Sequence, residues 1–324
     1  METTRFEELK KEILIRAHKA EACREQYGRA YGAETLDALM EVVRDNFNWC
    51  CNNDVLDGDI IDRYKAEFNA GKIWHNETRV TDGMLLLDNS RAELLDNSSA
   101  VLLDNSSAVL RDNSSAVLRD NSSAELWGNS RAVLRGNSRA ELRDNSSAVL
   151  RDNSSAELLD NSSAVLRDNS SAVLRDNSSA ELRDNSSAVL RDNSSAVLRD
   201  NSRAELLDNS SAELMDNSRA VLLDNSRAVL RDNSSAELWG NSRAELRENS
   251  RAELRENSRA ELRDNSSAEL WGNSSAELRE NSYGTSYSIK ECKLHNHAIY
   301  RICETNEIRY VDESIRFVKV EEEE

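Results

Sequence analysis

Four side chains near the C-terminal end could do chemistry together: Cys292, His295, His297 and Cys303. Two thiolates and two imidazoles make a complete tetrahedral set for zinc, which takes sulfur and nitrogen ligands in that number. Their spacing matches no common zinc finger, so the plainer expectation is ordinary strand residues and no cofactor. Recurring Asp residues offer calcium a second opening, but the glycine-rich nonapeptide of calcium-binding β-rolls is missing. No nucleophile beside a base, no phosphate loop and no acid–base dyad stands out at recognisable spacing. The expectation is a chain that is not an enzyme.

The elements that must position these groups are dominated by a repeat. From Asn89 to Asn281 nearly the same eight residues recur 25 times without a slip. Written L-x-D-N-S-x-A-x, the repeat never varies at Leu (Leu86 to Leu278), Asn (Asn89 to Asn281), Ser (Ser90 to Ser282) or Ala (Ala92 to Ala276). A helix advances about 100° per residue, so a period of eight drifts and leaves no fixed apolar stripe. A strand alternates faces, which puts Ala and Leu on one side and Val or Glu, with Arg, Leu or Trp, on the other. Asp-Asn-Ser then forms the corner, because Asn tolerates left-handed backbone and Asp and Ser fold back onto neighbouring backbone groups.

One octad cannot bury its Leu alone, so copies must stack. At roughly 4.8 Å per coil each residue lies over its equivalent. The expected ladders are Leu94, Asn97, Ser98, Ala100, Leu102 and Asn105 with their copies, the Asn amides bonding between coils. Two octads per coil give a flat, two-sided solenoid of 16 residues; three give a triangular one of 24. A Leu-plus-Ala interior suits two sheets about 10 Å apart, which favours two sides.

Bulk composition agrees. The chain has 324 residues, a net charge of -18, 38% hydrophobic and 5% aromatic residues, and no proline. That leaves too little apolar material for a large conventional core. The N-terminal stretch is charged and lacks the apolar centre of a signal peptide, and no apolar run reaches membrane-spanning length. Five cysteines, an odd number, read as reduced thiols in a cytoplasm. The octads hold 24 Arg and no Lys against 34 acidic residues. Stacked like charges repel, so outward Arg beside outward Glu, as at Glu141 and Arg143, offsets the clash.

Two departures from the octad point to binding surfaces. Trp127, Trp239 and Trp271 occupy an outward slot, each followed by Gly, and a two-sided coil puts all three on the same side. The opposite side carries Val101, Val117, Val133, Val149 and Val165 in one column, a candidate packing surface for a second copy.

Three regions follow: a helical N-terminal capping domain over 1–80, the octapeptide solenoid over 81–285, and a β-rich C-terminal cap with an acidic tail over 286–324. In the first, Thr4 and Glu7 make a capping box ahead of a helix over 6–32, with further helices over 35–50 and 59–70. Leu36, Leu39, Met40, Val43 and Phe47 recur at helical spacing and predict its core. Its acidic balance argues against a DNA-binding helix-turn-helix. In the third, residues 287–320 alternate like short antiparallel strands, and Glu321 to Glu324 stay solvated.

On its repeated D-N-S corner the octad region resembles the uncharacterised octapeptide-repeat proteins of bacteria and phages. Its pairing into 16-residue units is similar to ice-nucleation repeats, although the outward slots carry Val, Glu, Arg and Trp where ice binders present Thr. Pentapeptide-repeat proteins are a more distant likeness. The resemblance implies a β-solenoid. The expected function is a non-enzymatic structural or interaction protein, a rigid solenoid binding a protein partner or itself, with neither membrane nor nucleic acid expected as a partner. An acidic DNA mimic occupying a nucleic-acid-binding protein is the first alternative. An effector with a metal or catalytic site in an end cap is the second.

Overall fold

The computed structural model describes residues 2–315. The chain divides into two compact units, Met1–Glu157 and Leu158–Glu324, so the division falls inside the octads.

The first unit opens with α1 (Glu2–Lys19), α2 (Arg24–Gly32), α3 (Leu36–Asp45), α4 (Phe47–Asn52), α5 (Gly58–Arg63) and α6 (Lys65–Ala70). Each of the three helices expected from sequence is broken in two. The first ends where Glu21 takes a φ of 57° and the Ala22 N–H donates to the Ala17 carbonyl at 3.0 Å, a left-handed stop that apolar periodicity does not reveal. The second breaks at Asn46, whose Nδ2 donates to the Val42 carbonyl. The third breaks at Tyr64. Thr35 and Asp57 cap α3 and α5, accepting from the N–H groups of Ala38 (3.2 Å) and Ile60 (2.8 Å). α1 starts at Glu2, so the expected N-cap position at Thr4 falls inside the helix. Leu39, Met40, Val43 and Phe47 are buried as expected, while Leu36 is only partly covered.

The coils begin with β1 (Ile73–His75), β2 (Arg79–Val80), β3 (Met84–Asp88), β4 (Arg91–Leu94) and β5 (Ser99–Leu103). From β6 (Ser107–Leu110) to β11 (Ser147–Leu150) a four-residue strand recurs every eight residues. Strands two apart pair in parallel with like residues aligned, Leu126 with Leu142 and Val133 with Val149, which fixes 16 residues per coil and two sides. Odd-numbered strands make one sheet of this unit and even-numbered strands the other. Helices α5 and α6 pack against β1, covering the first edge.

The second unit repeats this arrangement from β13 (Ser163–Leu166) to β27 (Ser275–Leu278), and continues into β28 (Tyr283–Ser286), β29 (Glu291–Leu294) and β30 (Ile299–Ile302). β29 lies parallel to β27 and β30 parallel to β28. Among the described residues only β31 (Glu307–Tyr310) is antiparallel, against β30. The expected run of antiparallel strands is therefore one further coil plus a single reversed strand. Gly284 occupies the Ala slot there, where a Cβ would sit 2.8 Å from Leu278 Cδ1 and 3.4 Å from the buried Tyr300 ring. The acidic tail, Glu321 to Glu324, lies outside the described residues.

Inside both units the repeated Leu is fully buried and Ala nearly so. The serines, Ser98 among them, are buried as well. The Ser N–H closes most corners by donating to the carbonyl three residues back, as from Ser98 to Leu95 at 3.2 Å. In many copies its hydroxyl donates to that same carbonyl, as from Ser98 (2.8 Å), Ser130 (2.7 Å) and Ser258 (2.7 Å). Ser thus acts on carbonyls from inside the coil. Asn97 and Asn105 stand exposed at the corner, and the Asn amides bond between coils at Asn105 to Asn89 and at Asn273 to Asn257. Asp is left-handed in most copies, with φ near 52° at Asp96, which explains why Gly replaces it at Gly128, Gly136, Gly240 and Gly272. Asn is left-handed as expected in several, as at Asn153 (66°) and Asn249 (63°).

One repeated Leu departs from the pattern. β3 is set one residue out of phase, pairing Leu87 with Leu102 and Leu86 with Val101. Leu86 therefore faces outward, and Leu87 takes the interior place that the repeat assigns to Leu86.

Candidate functional site

The zinc-like set is not brought together. His295 Nε2 lies 3.1 Å from Glu277, His297 pairs with Asp312, and Cys303 Sγ is 3.5 Å from the Thr285 hydroxyl. Cys292 takes the inward Ala slot, where burial pushes its thiol up to about 11. Alternation sends these neighbours in sequence to different faces. Among the described residues no group of three or more His, Cys, Asp or Glu converges as a metal site.

The valine column is one column in the first unit, Val101 aligning with Val117, Val117 with Val133 and Val133 with Val149. Its beginning is not a surface. Val101 is completely buried in one apolar cluster with Leu86, Ile73 and the helical core, and Leu103 and Val117 are packed against that cluster. The charge of Arg119, just past β7 (Ser115–Leu118), is felt by the buried Cys51 thiol on α4. The helices thus fold back over the outer face of the odd-numbered strands and use the valines as an internal contact. Val133 and Val149 are half-buried; Val165, in the second unit, is half-buried and aligns with Glu181.

Charge on the outer faces is sorted by slot. Where a strand carries Glu, the Arg that follows its Leu grips that Glu, as Arg143 to Glu141 (2.7 Å), Arg183 to Glu181 (2.9 Å) and Arg247 to Glu245 (2.9 Å). Some also reach the Glu of the preceding coil, as Arg279 Nε to Glu261 at 3.3 Å. Arginines that follow Ser stand outside these pairs, although Glu205, Glu237 and Glu269 on the even-numbered strands have no Arg after their Leu. Arg203, Arg219 and Arg251 are exposed and make no ion pair among the described residues.

The tryptophans divide into three environments, each on the even-numbered sheet of its own unit. Trp127, after β8 (Ser123–Leu126), lies between Arg111 and Arg143, whose guanidinium carbons are 5.9 and 4.7 Å from its ring centre; its Nε1 is buried without a partner. Trp239, after β22 (Ser235–Leu238), is stacked by Arg255 at 4.5 Å. Trp271, after β26 (Ser267–Leu270), is 43% exposed. β28 pairs with β26, so the next coil continues that surface with Tyr283 and with Tyr287, 61% exposed. On the same outer face Arg203, Arg219 and Arg251 alternate with Glu237, Glu253 and Glu269 along a shallow groove of about 560 Å³ that Tyr283 and Thr285 also border.

No family model matches the sequence, and neither the curated proteins nor the solved structures contain a match. The fold is nonetheless plain: a parallel β-solenoid of two-sided coils with helices at its N-terminal end. No helix among the described residues is long and apolar enough to cross a membrane.

Tyr283 and Tyr287 are absent from the sequence expectation because they lie just past the last octad. The signal that finds them is the 16-residue step from Ser267 to Tyr283, which carries Trp271 to Tyr287. What this surface offers is recognition, since exposed aromatics beside unpaired guanidiniums are the composition of binding hot spots.

Proposed function

We propose that the protein is a non-enzymatic interaction protein that holds a protein partner, or a second copy of itself, on the outer face of the even-numbered strands of its second unit. The single observation that carries this reading is the exposure of Trp271, Tyr283 and Tyr287 together beside a groove lined by unpaired Arg203, Arg219 and Arg251 and by Glu237, Glu253 and Glu269. Leaving such large rings in water is unfavourable unless a partner removes them from it. The repeated D-N-S corner supports grouping the chain with bacterial and phage octapeptide-repeat proteins. Its five free cysteines suit a reducing compartment such as the cytoplasm.

The test is a variant carrying Trp271→Ser, Tyr283→Ser and Tyr287→Ser. Wild type is expected to self-associate in light scattering or to retain a partner from its host, and the variant to lose this with unchanged far-ultraviolet dichroism. Equal association by both proteins overturns the reading.

A further inference from the structure

The helices of the first unit enclose a pocket of about 230 Å³ that plays no part in the sheet faces. Its wall is Ile13, Ala17, Ala30, Val42, Val43 and Val55, all buried and all apolar. The space exists because Ala17 on α1 and Ala30 on α2 are short where α3 faces them. Cys50 completes the wall as a neutral group, its thiol pushed up to about 12 by burial.

A void in an apolar core costs stability in proportion to its volume, and protein interiors ordinarily close up to avoid it. An apolar cavity of about 150 Å³ already admits benzene, so this one has room for a two-ring molecule.

One edge of the pocket is polar, and its hydrogen bonds are unevenly spent. Asn46 Nδ2 donates to Gln26 Oε1 (3.1 Å) and to the Val42 carbonyl (2.8 Å), and Arg29 donates to the same Gln26 oxygen (2.9 Å). Asn46 Oδ1 is left as an acceptor with no protein donor among the described residues. Cys23, exposed to solvent, stands at the mouth.

We propose that this pocket binds a compact apolar molecule of one or two rings carrying a single N–H or O–H donor, the rings against Ala17, Ala30 and Val43 and the donor toward Asn46 Oδ1. This pattern, a mostly apolar concavity with one fixed polar group, is how small-molecule sites set orientation. The inference is independent of the sheet-face reading, and loss of partner binding leaves it untouched.

Indole is the probe, used with the full-length chain. Alkylation of Cys23 by iodoacetamide is followed by peptide mass spectrometry, with exposed Cys303 in the second unit as internal control. Saturating indole is expected to slow Cys23 alkylation at least fivefold and leave Cys303 unchanged. Ala30→Leu fills the pocket and is expected to abolish the protection; Ala17→Leu, from the opposite wall, serves if the first variant does not fold. Indene, of the same shape without the N–H donor, is expected to protect at least threefold less well at equal concentration. Unchanged Cys23 reactivity with indole, or protection that survives filling of the pocket, overturns the proposal.

Discussion

The guanidinium carbon of Arg143 lies 4.7 Å from the centre of the Trp127 ring, one coil further along the same sheet. Arg111 approaches from the preceding coil, so the indole is a rung in a ladder of cations and not a free anchor. The same Arg143 grips Glu141, so one side chain joins two outward columns.

It follows that the tryptophans differ in what they hold together. Trp127→Ala removes a half-buried ring and two cation–π contacts, an expected loss of about 2 kcal/mol. Trp271→Ala removes a ring that is 43% exposed and is expected to cost under about 0.5 kcal/mol. Urea unfolding of both variants checks the order; equal losses would show that the ladder contributes nothing to Trp127.

Val101 and Val149 occupy the same octad slot, yet one is fully buried under the helices and the other half-buried. Glu already fills that slot in other copies, as at Glu141. Val149→Glu is therefore expected to change stability by less than about 0.5 kcal/mol. Val101→Glu buries an unpaired carboxylate and is expected to cost at least about 3 kcal/mol, read in the same denaturant series. Indifference at Val101 would mean the helices do not close over that face in solution.

The buried serines are equivalent in sequence but not in bonding. Ser130 Oγ donates to the Trp127 carbonyl at 2.7 Å, whereas Ser186 Oγ is buried without a partner. Ser130→Ala is expected to cost about 1 kcal/mol, and Ser186→Ala to be neutral or slightly stabilising. Paired thermal melts decide it, and a larger loss at Ser186 would contradict the bonding described.

Acid should weaken the start of α5. Burial opposes ionisation of Asp57, but the Ile60 N–H and the Arg16 guanidinium outweigh it and hold the carboxyl below its ordinary range. A folded value below the unfolded one, about 3.9, means stability that is complete above the unfolded value and lost as pH falls through the folded one. With Asp57 44% exposed, the ion pair to Arg16 counts for little beside the cap itself. Asp57→Ala is expected to cost about 1 kcal/mol at neutral pH. The gap from wild type should narrow once the pH drops below about 4; a gap independent of pH would remove the charge from the account.

The alternation of Ala and Leu, the corner at Asp-Asn-Ser and the 16-residue coil were all readable in the chain, because each depends on residues within one or two octads. The inward and outward slots are a local property of extended backbone, and 25 copies repeat them. The invariance of Ser was readable too, but its role was not, since only burial shows that its hydroxyl answers a carbonyl inside the coil. Tertiary structure alone decided which outward slots stay outside. Leu86 and Val101 belong to the outward column, yet they are core because α-helices more than thirty residues away in sequence from Val101 lie over them. Trp127 is a different case: Arg111 and Arg143 hold it from one coil on either side, a spacing the repeat itself supplies, while Trp271 is left exposed where the coil after it carries Tyr287. A repeat specifies the direction of every side chain; what covers each face depends on non-repeating segments, and contacts made across such distances leave no period to read.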